Sequence, residues 1–75
     1  MANLIRGAND IGRVIRTRRK ALGYSQSRLA DLCGTGIRFI SDLENGKATI
    51  ELGKALSVLS ALGIDIEAKI RGAHP

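Results

Sequence analysis

The side chains able to do chemistry fall into two stretches, Ser25-Gln26-Ser27-Arg28-Leu29-Ala30-Asp31-Leu32-Cys33-Gly34 and Ile40-Ser41-Asp42-Leu43-Glu44-Asn45-Gly46-Lys47, with Gly36, Ile37 and Arg38 between them. Hydroxyls, amides, a guanidinium and an ammonium supply hydrogen bonds and positive charge, the means of reversible recognition. They do not supply a nucleophile with its base. Cys33 has no second group near it to make a catalytic pair, and it reads as a core residue. The carboxylates are scattered over polar faces, and no histidine, serine or lysine constellation forms a site. An enzyme is therefore not expected. Cys33 and the solitary His74 are too few for a zinc site, so neither metal nor cofactor is expected. Gly34-Thr35-Gly36 resembles a phosphate-binding loop only superficially. It lacks a third glycine at the right spacing, and no strand precedes it.

Charge narrows the partner. The chain has 75 residues and a formal net charge of +5. Residues 1–50 hold nine Lys/Arg and four Asp/Glu, whereas residues 51–75 hold three of each. The whole basic surplus thus lies in the first two-thirds, which points to a polyanion, with nucleic acid the most abundant one. A solvated basic face with no ligand is the alternative. Only two aromatics, Tyr24 and Phe39, accompany the aliphatic residues. A single domain this small has a marginal core and usually needs a staple. Without an internal disulfide or a metal, a second protein chain is the expected staple. No apolar run approaches the roughly 20 residues of a membrane span. The absence of an apolar leader and the lone cysteine fit a reducing cytoplasm.

The elements that must position these residues follow from periodicity. Residues 1–8 read as a flexible lead-in. Asn9 or Asp10 can cap a first helix in which Ile11, Val14, Ile15, Ala21 and Leu22 form one apolar stripe. Gly12 weakens that helix by about 1 kcal/mol relative to alanine. Ser25 caps a second helix with Leu29, Ala30, Leu32 and Cys33 on its apolar side. A third runs from Ile37 to Glu44 with Ile40 and Leu43 inward, and Phe39 reads as a packing residue. Thr49 can cap a fourth, where Leu52, Leu56, Leu59 and Leu62 make one face widened by Ala55 and Val58. Gly23, Gly34, Gly46 and Gly63 each follow a helix, where a left-handed terminus is expected. After Gly63 the period changes. Ile64, Ile66, Ala68 and Ile70 alternate with Asp65, Glu67, Lys69 and Arg71, which predicts a strand. The expected organisation is a lead-in at 1–8, a four-helix domain at 9–62, a strand at 63–71 and a tail at 72–75.

The second and third helices, joined by a glycine turn, make a helix-turn-helix at about residues 26–45. Ala30 is small where the two helices cross. The third helix is then free to lay its N-terminal end in a DNA major groove. Gln26, Leu29-Ala30, Gly34, Ile40-Ser41 and Glu44-Asn45-Gly46-Lys47 together resemble the Cro/phage-repressor (Xre) helix-turn-helix family over residues 11–62. The ending Leu59-Ser60-Ala61-Leu62-Gly63, followed at once by the strand, resembles the HipB antitoxin branch. Members of that branch repress their own operon and bind a HipA-type kinase toxin.

The resemblance implies a bacterial, mainly α, four-helix repressor-like domain that binds double-stranded DNA and associates with the nucleoid. It implies phosphate contacts by Ser25, Gln26, Asn45 and Lys47, and base contacts at Gly36, Ile37, Arg38, Ser41 and Asp42. It also implies a structural ion pair between Arg19 and Glu44. Two departures thin the hydrogen-bonding readout. Position 36 is glycine where the family often has a polar cap, and Ile37 and Phe39 stand where polar residues are common. Ile37 can still meet a thymine methyl, and DNA shape gains weight.

The strand has no partner within an otherwise helical chain. Its expected partner is the same strand of a second copy, with Ile64, Ile66, Ala68 and Ile70 at the interface of a homodimer on a palindromic operator. The expected function is a sequence-specific repressor that is the antitoxin and autorepressor of a HipA-type toxin operon. The alternative is a helix-turn-helix regulator or adaptor with no toxin partner.

Overall fold

In the computed structural model, which describes residues 4–72, four helices follow one another. They are α1 (Ala8–Ala21), α2 (Gln26–Cys33), α3 (Ile37–Glu44) and α4 (Leu52–Ala61). Among the described residues there is no strand. Residues 1–3 of the lead-in, and 73–75 of the tail with His74, lie outside the described residues.

The core gathers one stripe from each helix. Ile15 of α1, Leu29 and Ala30 of α2, Ile40 and Leu43 of α3, and Ala55, Val58 and Leu59 of α4 are buried, together with Leu62 just past α4. Tyr24, Cys33, Phe39 and Ile64 pack around this centre and are half-buried. α3 lies against both α1 and α2, and α4 closes over α2. Each helix ends at a glycine of positive φ, namely Gly23, Gly34, Gly46 and Gly63. The turn between α2 and α3 shows why. Gly34 sits at φ 65°, its N–H donates to Asp31 O, and the Thr35 N–H reaches back to Ala30 O at 3.0 Å. Two end carbonyls of α2 are thereby satisfied in a conformation that side chains with a Cβ disfavour.

Gly12 has a different role from the weak spot that helix propensity suggests. A Cβ placed on it would come within 2.5 Å of Leu43 O and 2.6 Å of Glu44 O. The missing side chain is what lets α1 lie directly on the C-terminal end of α3.

Several expectations are corrected. α1 starts at Ala8 with Gly7 as its N-cap, so neither Asn9 nor Asp10 caps it. Asp10 lies in the first turn instead, where it accepts from the Arg6 N–H and pairs with Arg13. Thr49 does not cap α4. The chain is still turning there, and Glu51 is the cap, accepting from Gly53 N–H at 3.2 Å and Lys54 N–H at 2.6 Å. The buried face of α4 is Ala55, Val58, Leu59 and Leu62, whereas Leu52 and Leu56 are exposed. Leu52 opens the helix at the core's edge, and Leu56 lies one residue, about 100°, round from Ala55. Leu22 and Leu32, placed inward by periodicity, are also exposed: Leu22 is the C-cap just past α1, and Leu32 stands near the end of the eight-residue α2.

The expected strand is not seen in the single chain. Residues 64–70 form no ladder with any described segment of the chain. Ile64 packs against the core, but Ile66, Ala68 and Ile70 are exposed. A strand is defined by its neighbour, and a single chain offers none here.

Candidate nucleic-acid interface

The site is built around a buried charge pair. Arg19 Nε lies 2.6 Å from Glu44 Oε2, and Arg19 Nη2 donates to Glu44 Oε1 at 2.9 Å. The Arg19 Nη1 donor turns the other way, to Tyr24 O at 2.8 Å. Gln26 Nε2 also donates to Glu44 Oε1, at 3.2 Å. The last residue of α3 is thus tied to the end of α1, the following loop and the start of α2. Burial raises the proton affinity of the Glu44 carboxyl. The Arg19 fork and the Gln26 amide outweigh that effect and hold it below the usual glutamate range. The same hydrogen bonds, against desolvation, raise the affinity of Arg19 for its proton. The expected Arg19–Glu44 pair is therefore present, and Gln26 is found bracing α3 from behind.

The outward side of α3 begins at Gly36, its N-cap, which provides no side-chain hydrogen bond. Ile37 is exposed, and the Arg38 side chain is 91% exposed. Ser41 and Asp42 are half-buried one turn further on. Ser41 Oγ accepts from Asn45 Nδ2 at 3.4 Å. The Asp42 carboxylate faces two cations, Arg38 and Lys47, at 3.9 Å and 3.6 Å. Gly36, Ile37, Arg38, Ser41, Asp42, Asn45 and Lys47 are thus gathered along α3 and the turn that follows it. Ser25 and Gln26 start α2. Ser25 Oγ is engaged as the cap of α2, accepting from Arg28 N–H at 3.0 Å.

Three contributors were missed by sequence reasoning. Gly12 sets the spacing of α1 and α3, as above. Arg18 Nε donates to Leu62 O at 3.0 Å, closing the end of α4 where the C-terminal segment departs. Lys54 Nζ stands 5.7 Å from the Phe39 ring centroid, a cation–π contact that accompanies the packing of Phe39. A basic residue spaced for a helix face signals neither of the last two, because each depends on a helix far away in sequence. Cys33 is half-buried, and burial pushes its thiol up from the usual range, as befits a packing residue. Among the described residues no group of three or more His, Cys, Asp or Glu could hold a metal ion, and no helix is long and apolar enough to cross a membrane.

Comparison with known proteins agrees with this geometry. The helix-turn-helix family profile matches residues 15–69. The chain is 46% identical over 67 residues to an uncharacterized HTH-type transcriptional regulator, y4mF, of Sinorhizobium fredii (strain NBRC 101917 / NGR234), covering 89% of this chain and 88% of the relative. Among solved structures, a HipB–O4 20mer complex is similar with a TM-score of 0.83 and 21% identity, covering 93% of this chain and 99% of the other. The structure of a HipA–HipB–O2–O3 complex is similar with the same TM-score, identity and coverage. These likenesses place the four-helix fold beside that of HipB. The profile match and the regulator from Sinorhizobium go further: the chain belongs to the Cro/C1 (Xre) type of helix-turn-helix DNA-binding transcriptional regulators.

Proposed function

We propose that the chain is a homodimeric, sequence-specific repressor whose α3 reads a palindromic operator, and that it serves as antitoxin and autorepressor in an operon with a HipA-type kinase toxin. The carrying observation is the arrangement of α3. Its exposed first turn, with Ile37 and Arg38, is held out by a C-terminal end fixed through Arg19, Glu44 and Gln26. In this reading Arg38 and Ser41 meet base edges with Asp42 beside them, Gly36 lets the backbone come close, and Ser25, Gln26, Asn45 and Lys47 meet phosphates.

The dimer follows from residues 64–70, whose backbone groups have no ladder partner in the chain. An antiparallel pairing centred on Ala68 sets Asp65 opposite the partner's Arg71, Glu67 opposite the partner's Lys69 and Ile66 opposite the partner's Ile70. Acid then meets base on one face and apolar meets apolar on the other. A slip of one residue sets charged positions against apolar ones. The cleft beside this segment is lined by Leu4, Ile5, Ile11, Val14 and Leu59, a surface suited to its isoleucines. The toxin partner is supported by the fold shared with HipB, which has been solved in complex with HipA. The second reading is a helix-turn-helix regulator or adaptor with no toxin partner, in keeping with the Sinorhizobium HTH-type transcriptional regulator.

Selection from a randomised duplex library tests the repressor. The expected product is a palindromic consensus. Arg38→Ala relaxes it at one position per half-site, at about 1–3 kcal/mol. Lys47→Ala weakens all duplexes alike and lowers the salt slope by about one. Intact affinity and preference in Arg38→Ala overturn the docking of α3. Co-purification with the product of a neighbouring kinase-like gene tests the antitoxin role, and failure to bind it leaves the second reading.

A further inference from the structure

Arg38, Asp42 and Lys47 form a run of three alternating charges across the outer side of α3. Asp42 Oδ1 lies 3.9 Å from Arg38 Nε, and Asp42 Oδ2 lies 3.6 Å from Lys47 Nζ. The backbone folds Lys47 back to this place, since its N–H donates to Asp42 O at 3.0 Å. Both side-chain gaps exceed hydrogen-bonding range. The two cations are therefore attracted to the carboxylate but not locked to it. Arg38 remains almost wholly exposed, whereas the Asp42 side chain is 29% exposed and sits between the two cations.

A carboxylate in the middle of a surface that must meet phosphates is a repulsive element unless a donor is placed before it. The geometry points to Asp42 as the residue that sets specificity here. It accepts from the exocyclic amine of a cytosine next to the base pair at which Arg38 meets guanine, and it penalises duplexes that offer no such donor. This rests on the reading of α3 as the DNA-facing helix. The chemistry is that of base edges in the major groove: guanidinium pairs with guanine O6 and N7, and carboxylate accepts from cytosine N4. Arg38 and Asp42 stand four residues apart on one helix face, so they address neighbouring base pairs. On an unmatched duplex, Arg38 and Lys47 neutralise phosphates only by turning from Asp42. The carboxylate is then left without a counter-ion, facing a polyanion.

The test uses the full chain and a randomised duplex library, followed by binding to the enriched duplex and to a scrambled duplex of the same composition at several salt concentrations. The wild-type chain is expected to enrich a guanine with an adjacent cytosine in each half-site. Asp42→Asn is expected to replace that cytosine by adenine, because an amide pairs with adenine N6 and N7. It is also expected to bind the scrambled duplex about tenfold more tightly, with like-charge repulsion removed. A second variant, Asp42→Ala, should lose the cytosine preference without gaining adenine. An unchanged consensus with unchanged affinity for the scrambled duplex in both variants overturns the inference and leaves α3 as the reading helix. A wild-type chain that enriches no duplex at all overturns both.

Discussion

The Arg19 guanidinium and the Glu44 carboxylate meet as a two-pronged fork, with Nε 2.6 Å from Oε2 and Nη2 2.9 Å from Oε1, across the buried junction of α1 and α3. Only 2% of the Glu44 side chain and 10% of the Arg19 side chain are exposed. Such forks are among the stronger charge-assisted hydrogen bonds, and they are sensitive to the loss of one partner. Glu44→Ala strands a buried guanidinium, so it should destabilise the fold on the order of 3 kcal/mol. Asp31→Ala, at an exposed carboxylate of α2, should stay within about 0.5 kcal/mol. Urea midpoints compare the two, and coincident midpoints rule out a stabilising pair.

The same pair gives the fold a defined acid response. The folded state holds the Glu44 carboxyl below the ordinary glutamate range, so its ionised form is favoured by folding. Its contribution is complete above the unfolded-state pKa and is lost as pH falls through the lower folded-state pKa. Asp10 is shifted in the same direction by the Arg6 N–H and by Arg13, and it adds to the loss at acid pH. Comparing wild type with Glu44→Gln isolates the first effect. The stability gap is expected to be constant near neutral pH and to close below the ordinary glutamate range, because a protonated glutamate is a near-equivalent of glutamine. A gap independent of pH down to acid unfolding contradicts this.

Gly12→Ala separates helix propensity from packing. In an exposed helix this change stabilises by roughly 1 kcal/mol. Here the added methyl meets the carbonyls of Leu43 and Glu44, which are backbone and cannot swing aside. Overpacking of this kind costs about 1–3 kcal/mol, so a lower thermal midpoint is expected. A higher one means that α1 and α3 are not in close contact.

Deleting residues 64–75 tests the proposed dimer. The truncated chain keeps the nine core residues from Ile15 to Leu62 and should fold, with reduced stability. In sedimentation it should run as a monomer or a loose dimer, and it should bind a full palindrome poorly, without the affinity gain over a single half-site that a dimer obtains. A truncated chain that stays a tight dimer places the interface elsewhere.

Much of this fold was legible from spacing alone. Ile15, Leu29, Ile40 and Leu43 repeat at helical intervals, and Gly34 and Gly46 end helices in a conformation that favours glycine. What misled was local chemistry judged without its neighbours. Asn9 and Asp10 are good caps by residue type, but the cap is Gly7, two residues before Asn9, and α1 begins at Ala8. Leu52 and Leu56 look like core by period, yet the small Ala55 is the residue turned inward. Gly12 looks like a propensity defect within its own helix, because its reason lies on α3, distant in sequence. The Arg19–Glu44 pair came from family resemblance. The sequence places both residues beside apolar positions but cannot show that they touch. The Arg38–Asp42 pair follows the i,i+4 spacing of α3, but Lys47 joins it only through the backbone turn after the helix, which no spacing rule yields.

The way α3 is held has a mechanical consequence. Its C-terminal end is clamped by Arg19, Gln26 and the close approach of Gly12, whereas its N-terminal end leaves a glycine cap that gives no side-chain hydrogen bond. The helix is a cantilever, stiff at the root and compliant at the tip, and the tip carries Ile37 and Arg38. In the proposed docking, small differences in groove width between duplexes are absorbed at Gly36, Ile37 and Arg38, short of Phe39 and the buried Ile40. Amide hydrogen exchange is the matching observable, faster at Ile37 and Arg38 than at Leu43 and Glu44. A serine in place of Gly36 would supply the missing cap and stiffen the tip. In the proposed docking, that would trade tolerance of groove shape for rigidity at the end of α3 that meets the duplex.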